Sequence, residues 1–196
     1  MDNLGLLHEH YKESFGLSRD AQSNRNKTFL LLNLALAISF LFVIEPASVL
    51  LIITSWLKES HGVDLGLQVG IVQVFLWLIV LYFTMKYIQL NCYIERQYKY
   101  ISSLENKLTE VSGVKIDRES ANYLKTYPIA LDGIHIVYTW IFPILYEVAI
   151  TFKILVEIKN SSWGVPIVID CIIFLCCFAL FCMYFYFLRK KKNDKG

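Results

Sequence analysis

Three acids sit inside long apolar runs of this 196-residue chain, Glu45, Glu147 and Asp170, and Gln73 falls at the same level in a fourth run. Ionisable groups are costly among apolar neighbours, so each calls for a partner or a task. Counted back from one end of its run, each lies about five or six residues in, or about 8–9 Å along a helix. Pro46 and Pro143 stand close to two of them. A proline has no backbone N–H to donate, so each frees a carbonyl nearby. Carboxylates and free carbonyls at one level could form an intramembrane cation or proton site. Alternatively, the carboxyls are uncharged and hydrogen-bond to one another, to Gln73 and to Lys153, tying helices together. The sequence leaves both readings open.

Other reactive side chains point to less. His8 and His10 flank Glu9 in a polar terminus, which falls short of a metal-ligand set, and no metal site is expected. Cys171, Cys176, Cys177 and Cys182 share one apolar run, where thiols behave as small apolar residues. The chain has no HExxH, GxSxG, P-loop or dinucleotide fingerprint. Ser39 is the one serine that could serve His135, and it lacks a Gly-rich surround; His135 is expected to bond a backbone carbonyl instead. Neither enzymatic activity nor a cofactor is expected.

The elements that must position these groups are set by apolar blocks. Hydrophobic residues make up 56% of the chain and charged ones 18%, too apolar a balance for an ordinary soluble domain. Four runs are long enough to cross a bilayer: from Thr28 past Pro46 to Trp56, from Gly66 to Lys86, from about Ile134 to Phe152, and from about Val165 to Leu188. The expected fold is all-α: a four-span transmembrane helical bundle over 28–196, preceded by a cytoplasmic segment, 1–27. In that segment Tyr11, Phe15 and Leu17 could form one face of a short interfacial helix. At Pro46 two arrangements fit. The first helix kinks and continues to Trp56, or it ends near Glu45 and residues 47–57 dip back as a half-helix. Gly62, Gly66 and Gly70 recur every four residues, a spacing that lets another helix approach closely.

Beyond Lys86 the second span keeps a seven-residue rhythm. Tyr87, Ile94, Ile101 and Leu108 fall at one seam position, and Leu90, Leu104 and Val111 at the other, with Gln97 the one interruption. This predicts a helix that leaves the membrane and carries an apolar stripe. Gly113 should stop it, and Asp117 should cap a short helix over 118–126. Ile94, Ile101, Leu104, Leu108 and Val111 are the expected partner-binding residues.

Charge placement orients the bundle. Sixteen of the 19 Lys and Arg lie in 1–27, in 86–127 or from Arg189 onward. Positive charge is retained on the cytoplasmic side, so both termini and the 87–127 segment are expected inside a cell membrane. These basic residues are juxtamembrane and mixed with acids, which argues against nucleic-acid binding. The run YISSLENKLTEVSGVKIDRESANYLKTYP, followed by YTWIFPIL, resembles uncharacterised bacterial four-pass membrane proteins. In size and layout the chain is also similar to small membrane components of bacterial anti-phage systems. That likeness implies a membrane sensor or scaffold component. The expected function is a small multi-pass protein that forms a homo-oligomer in the lipid bilayer and presents its cytoplasmic helix to itself or to a soluble partner. The alternative is a pore that conducts ions or protons through the acidic level.

Overall fold

The computed structural model describes residues 3–62, 68–115, 133–134, 136–160 and 164–193. Among them every regular element is helical: α1 (Asn3–Ile44), α2 (Pro46–His61), α3 (Val69–Ser112), a π-helical turn (Val137–Ile141), α4 (Phe142–Asn160) and α5 (Val165–Asn193). The expected short helix at 118–126 with its cap Asp117, as well as Gly66 and His135, lie outside the described residues.

Prolines and glycines set the boundaries. Pro46 has no N–H for the Phe42 carbonyl, and its ring pushes the preceding residue out of the helical region. Glu45 accordingly has φ −136° and ψ 63°, which ends α1 and starts α2 with Pro46 in its first turn. Gly62 closes α2 in the left-handed conformation, φ 65°, donating its N–H to the Lys58 carbonyl at 3.0 Å. Gly113 (φ 67°) stops α3 in the same way, as its position predicts. Pro143 likewise cannot bond the Thr139 carbonyl. The turn before it widens to π geometry, with the Phe142 N–H reaching the Val137 carbonyl.

The chain divides into two compact units. Unit 1 is Met1–Lys27 with Tyr87–Phe142. There the first half of α1 lies antiparallel to the second half of α3, because Tyr11 donates to Glu105 Oε1 at 3.0 Å while Gln22 bonds the Tyr98 hydroxyl at 3.3 Å. The buried face of α1 repeats by threes and fours: Tyr11, Ser14, Ser18 and Ala21, with Leu4 and Leu7 half-buried ahead of them. Small side chains there let the large ones of α3 close in. Tyr11 joins Ile101, Leu104 and Leu108 in one apolar cluster. The expected Tyr11, Phe15 and Leu17 face is corrected by this register, for Leu17 is half exposed. A face built on Ser14 and Ser18 has too little hydrophobicity to stand out in the sequence.

Unit 2 is Thr28–Lys86 with Pro143–Gly196. Its interior collects Leu32 and Phe42 from α1, Trp77 and Val80 from α3, Tyr146 and Ile150 from α4, and Cys177 and Phe181 from α5. A Cβ at Gly70 would come within 3.1 Å of the Pro166 ring; this is a close approach of α3 to the start of α5. Gly62 faces open space, so the expected three-glycine stripe reduces to Gly70 among the described residues. No residue of α2 is buried.

Among the described residues three helical segments are long and apolar enough to cross a membrane: Leu4–Ile44, Val69–Ser112 and Val165–Lys190. The third expected run differs from its prediction. It continues past Phe152 to Asn160, because nothing between these positions breaks a helix, and it so takes in Lys153 and Glu157.

The unit 1 seam gives a direct test. Leu104→Ala should cost about 2–3 kcal/mol by leaving a cavity under α1. Backbone amides of residues 4–21 should then exchange faster with solvent while those of 69–86 stay unchanged.

Candidate functional site

In α4 the buried positions Tyr146, Ile150, Lys153, Ile154 and Glu157 follow helical spacing, so an ammonium and a carboxylate share the face that carries the apolar core. In α5 the buried set is Ile167, Asp170, Ile173, Cys177, Phe181, Tyr184 and Leu188. Where these faces meet, the Lys153 Nζ lies 2.6 Å from Glu157 Oε2 and 3.9 Å from Asp170 Oδ2. It also sits over the Trp77 ring, 4.2 Å from the centroid. Lys153 is 2% exposed, Glu157 5% and Asp170 1%.

The cluster is charge-rich but only partly bonded. Lys153 and Glu157 make a short charge-assisted hydrogen bond. Both carboxylate oxygens of Asp170 lack any hydrogen bond, and so does the indole nitrogen of Trp77. Fully ionised, the three side chains hold one positive and two negative charges. A second polar contact lies deeper among the helices. The Tyr146 hydroxyl is 2.6 Å from Thr84 Oγ1 and 3.7 Å from Cys177 Sγ, while Thr84 donates to the Val80 carbonyl at 2.8 Å. It links α3, α4 and α5, and it suits structure rather than chemistry.

No hydrogen bond joins the four residues expected at one level. Glu45 is exposed at the α1–α2 break, where its carboxylate accepts from Ser48 Oγ at 3.3 Å. Gln73 is half-buried. Glu147 is also half-buried, with both oxygens shut off from solvent and unbonded. Neither Glu147 nor Asp170 hydrogen-bonds to another member of the four. Equal depth along separate helices does not fix which way each side chain faces, and the break at Glu45 leaves its side chain on the surface. Of the expected set, Asp170 belongs to the observed cluster, with Lys153 beside it. Glu157 and Trp77 were not foreseen. Their signal was present: Lys153 and Glu157 are four apart, in step with Tyr146 and Ile150.

The expected partner-binding stripe divides in two. Ile94, Ile101, Leu104 and Leu108 are buried within unit 1, the last three against the chain's own Tyr11. Val111 is 60% exposed, and Val114 beyond it 65%. Among the described residues no group of three His, Cys, Asp or Glu side chains could hold a metal ion. No protein-family model, curated protein or solved structure matches this chain.

Lys153 is the member whose loss should matter most. Lys153→Met leaves two buried acids without a counter-charge and should cost about 3–5 kcal/mol. Tyr146→Phe removes a neutral hydrogen bond and should cost about 1 kcal/mol. Unfolding of the two variants in mixed micelles, compared with the wild type, measures the difference.

Proposed function

We propose that the chain is a four-span protein of the cell membrane whose cytoplasmic helical unit associates with a second copy or with a soluble protein. On this reading α4 is the span that complements the three more apolar ones. Its 19 residues reach about 28 Å at the usual rise per residue. Lys153 and Glu157 turn inward, while Ile144, Leu145, Val148, Phe152 and Leu155 are exposed on the outside, as lipid contact requires. Both termini and the 87–127 segment are cytoplasmic because the Lys and Arg residues concentrate there. The charged lengths of α1 and α3 then fold on each other in water.

One observation carries the association. The α3 stripe is closed by the chain's own helix up to Leu108, and its end is open at Val111 and Val114. Two exposed valines at the tip of a buried seam are a natural continuation point for another apolar surface.

Reporter fusions test the orientation: fusions after Gly113 and Gly196 should read as cytoplasmic, and one at His61 as external. Val111→Asp tests the contact. The substitution falls on an exposed position, so the fold should persist while association in membranes weakens by about tenfold or more, the effect of about 1.4 kcal/mol. If Val111→Asp and Val114→Asp cross-link in native membranes as the wild type does, the open end of the stripe is not the contact.

A further inference from the structure

We propose that the Lys153–Glu157–Asp170 cluster is a binding site for a single proton, held on Asp170 and shared with Glu157. The argument begins with charge. Three ionisable side chains, each at most 5% exposed, stand among the apolar residues of α3, α4 and α5. Among the described residues, the one cation in contact with Glu157 or Asp170 is Lys153. Cys171 beside Asp170 contributes no positive charge, and α3 presents the uncharged Trp77. With all three groups ionised the site holds one net negative charge. An uncompensated charge in so apolar a place is far more costly than a neutral set. A single added proton makes the set neutral.

Geometry selects the carboxyl that takes it. Glu157 holds the close contact to Lys153 at 2.6 Å and remains the anion of the ion pair. Asp170 is farther off at 3.9 Å, and neither of its oxygens has a hydrogen-bond donor. Donors are what stabilise a buried carboxylate, and neither Asp170 oxygen accepts from one. Once protonated, Asp170 becomes a donor, and the Glu157 carboxylate beside it is an acceptor. A metal cation fits less well, because the Lys153 ammonium already occupies the position between the two acids. The indole N–H of Trp77, also unbonded, adds a donor next to the site and removes no negative charge.

Infrared spectroscopy of the full chain in lipid nanodiscs tests this, since a protonated carboxyl has a C=O stretch that a carboxylate lacks. Glu147 has buried, unbonded oxygens of its own, so Glu147→Gln serves as the background. In that background a carboxyl band should be present at about pH 7, where an ordinary Asp near 3.9 has lost its proton. The band should shift when aspartate is labelled with carbon-13 at the side-chain carboxyl. It should vanish in Asp170→Asn. It should also vanish in Glu157→Gln, where Lys153 and Asp170 alone are already neutral as ions. The labelling experiment needs no change at the site, so it decides even if Asp170→Asn does not fold. A band that ignores the aspartate label, or no band at that pH, overturns the proposal. A band unaltered in Glu157→Gln overturns it as well, because excess negative charge is then not what holds the proton.

Discussion

The arrangement of unit 2 turns on one buried ammonium. An uncompensated Lys153 could not stay among Ile150, Ile154 and Trp77. Its charge is met by Glu157 one turn along α4, at 2.6 Å, and Asp170 lies across on α5, 3.9 Å away. This fixes the rotation of α4 about its own axis. With Lys153 and Glu157 inward, Leu145, Val148, Phe152 and Leu155 must face out. The same contact fixes which face of α5 is internal, so Cys177 and Phe181 follow Asp170 into the core at helical spacing. A buried ion pair of this kind contributes little net stability compared with an apolar replacement. What it supplies is orientation: the apolar residues of α4 and α5 could pack in several rotations, and the charges can be satisfied in few.

Helices are where the sequence was most legible. Gly113 stops α3 where its place predicts, Pro46 breaks the helix at Glu45 as in one of the two arrangements that fit there, and Gly62, expected at a close approach of helices, closes α2 instead. The heptad on α3 was legible as well. Ile94, Ile101, Leu104 and Leu108 are large and regularly spaced, and they are buried. Their partner was not legible. Ser14, Ser18 and Ala21 make the complementary face on α1, and small polar residues give no hydrophobic period to read. An apolar stripe announces that something will cover it; the covering helix can succeed by being small rather than apolar.

The candidate site was half legible, and the missing half has a specific cause. Asp170 stood out as an acid inside an apolar run, whereas Lys153 and Glu157 fell beyond the point where hydropathy declines. Hydropathy scores a charge as though it faced water, so a helix that buries two opposite charges reads as a helix that has ended. Spacing was the better guide there. The step of four between Lys153 and Glu157 continues the step of four between Tyr146 and Ile150, and α4 runs to Asn160.

The two units place buried acids in different company, and the difference follows from what surrounds each. In unit 1, Glu105 is fully buried and accepts a hydrogen bond from Tyr11 at 3.0 Å. Serines and charged side chains lie along the same helices, so neutral and charged donors are both within reach. In unit 2 the helices between their ends offer mostly aliphatic and aromatic side chains, with few donors. Glu157 there depends on the Lys153 ammonium one turn away, while Glu147 and Asp170 have no hydrogen-bond donor. Supply of donors therefore distinguishes the two environments more than depth of burial does. It is why Glu105 has a bonded carboxylate oxygen at zero exposure, while Asp170, at 1%, has none.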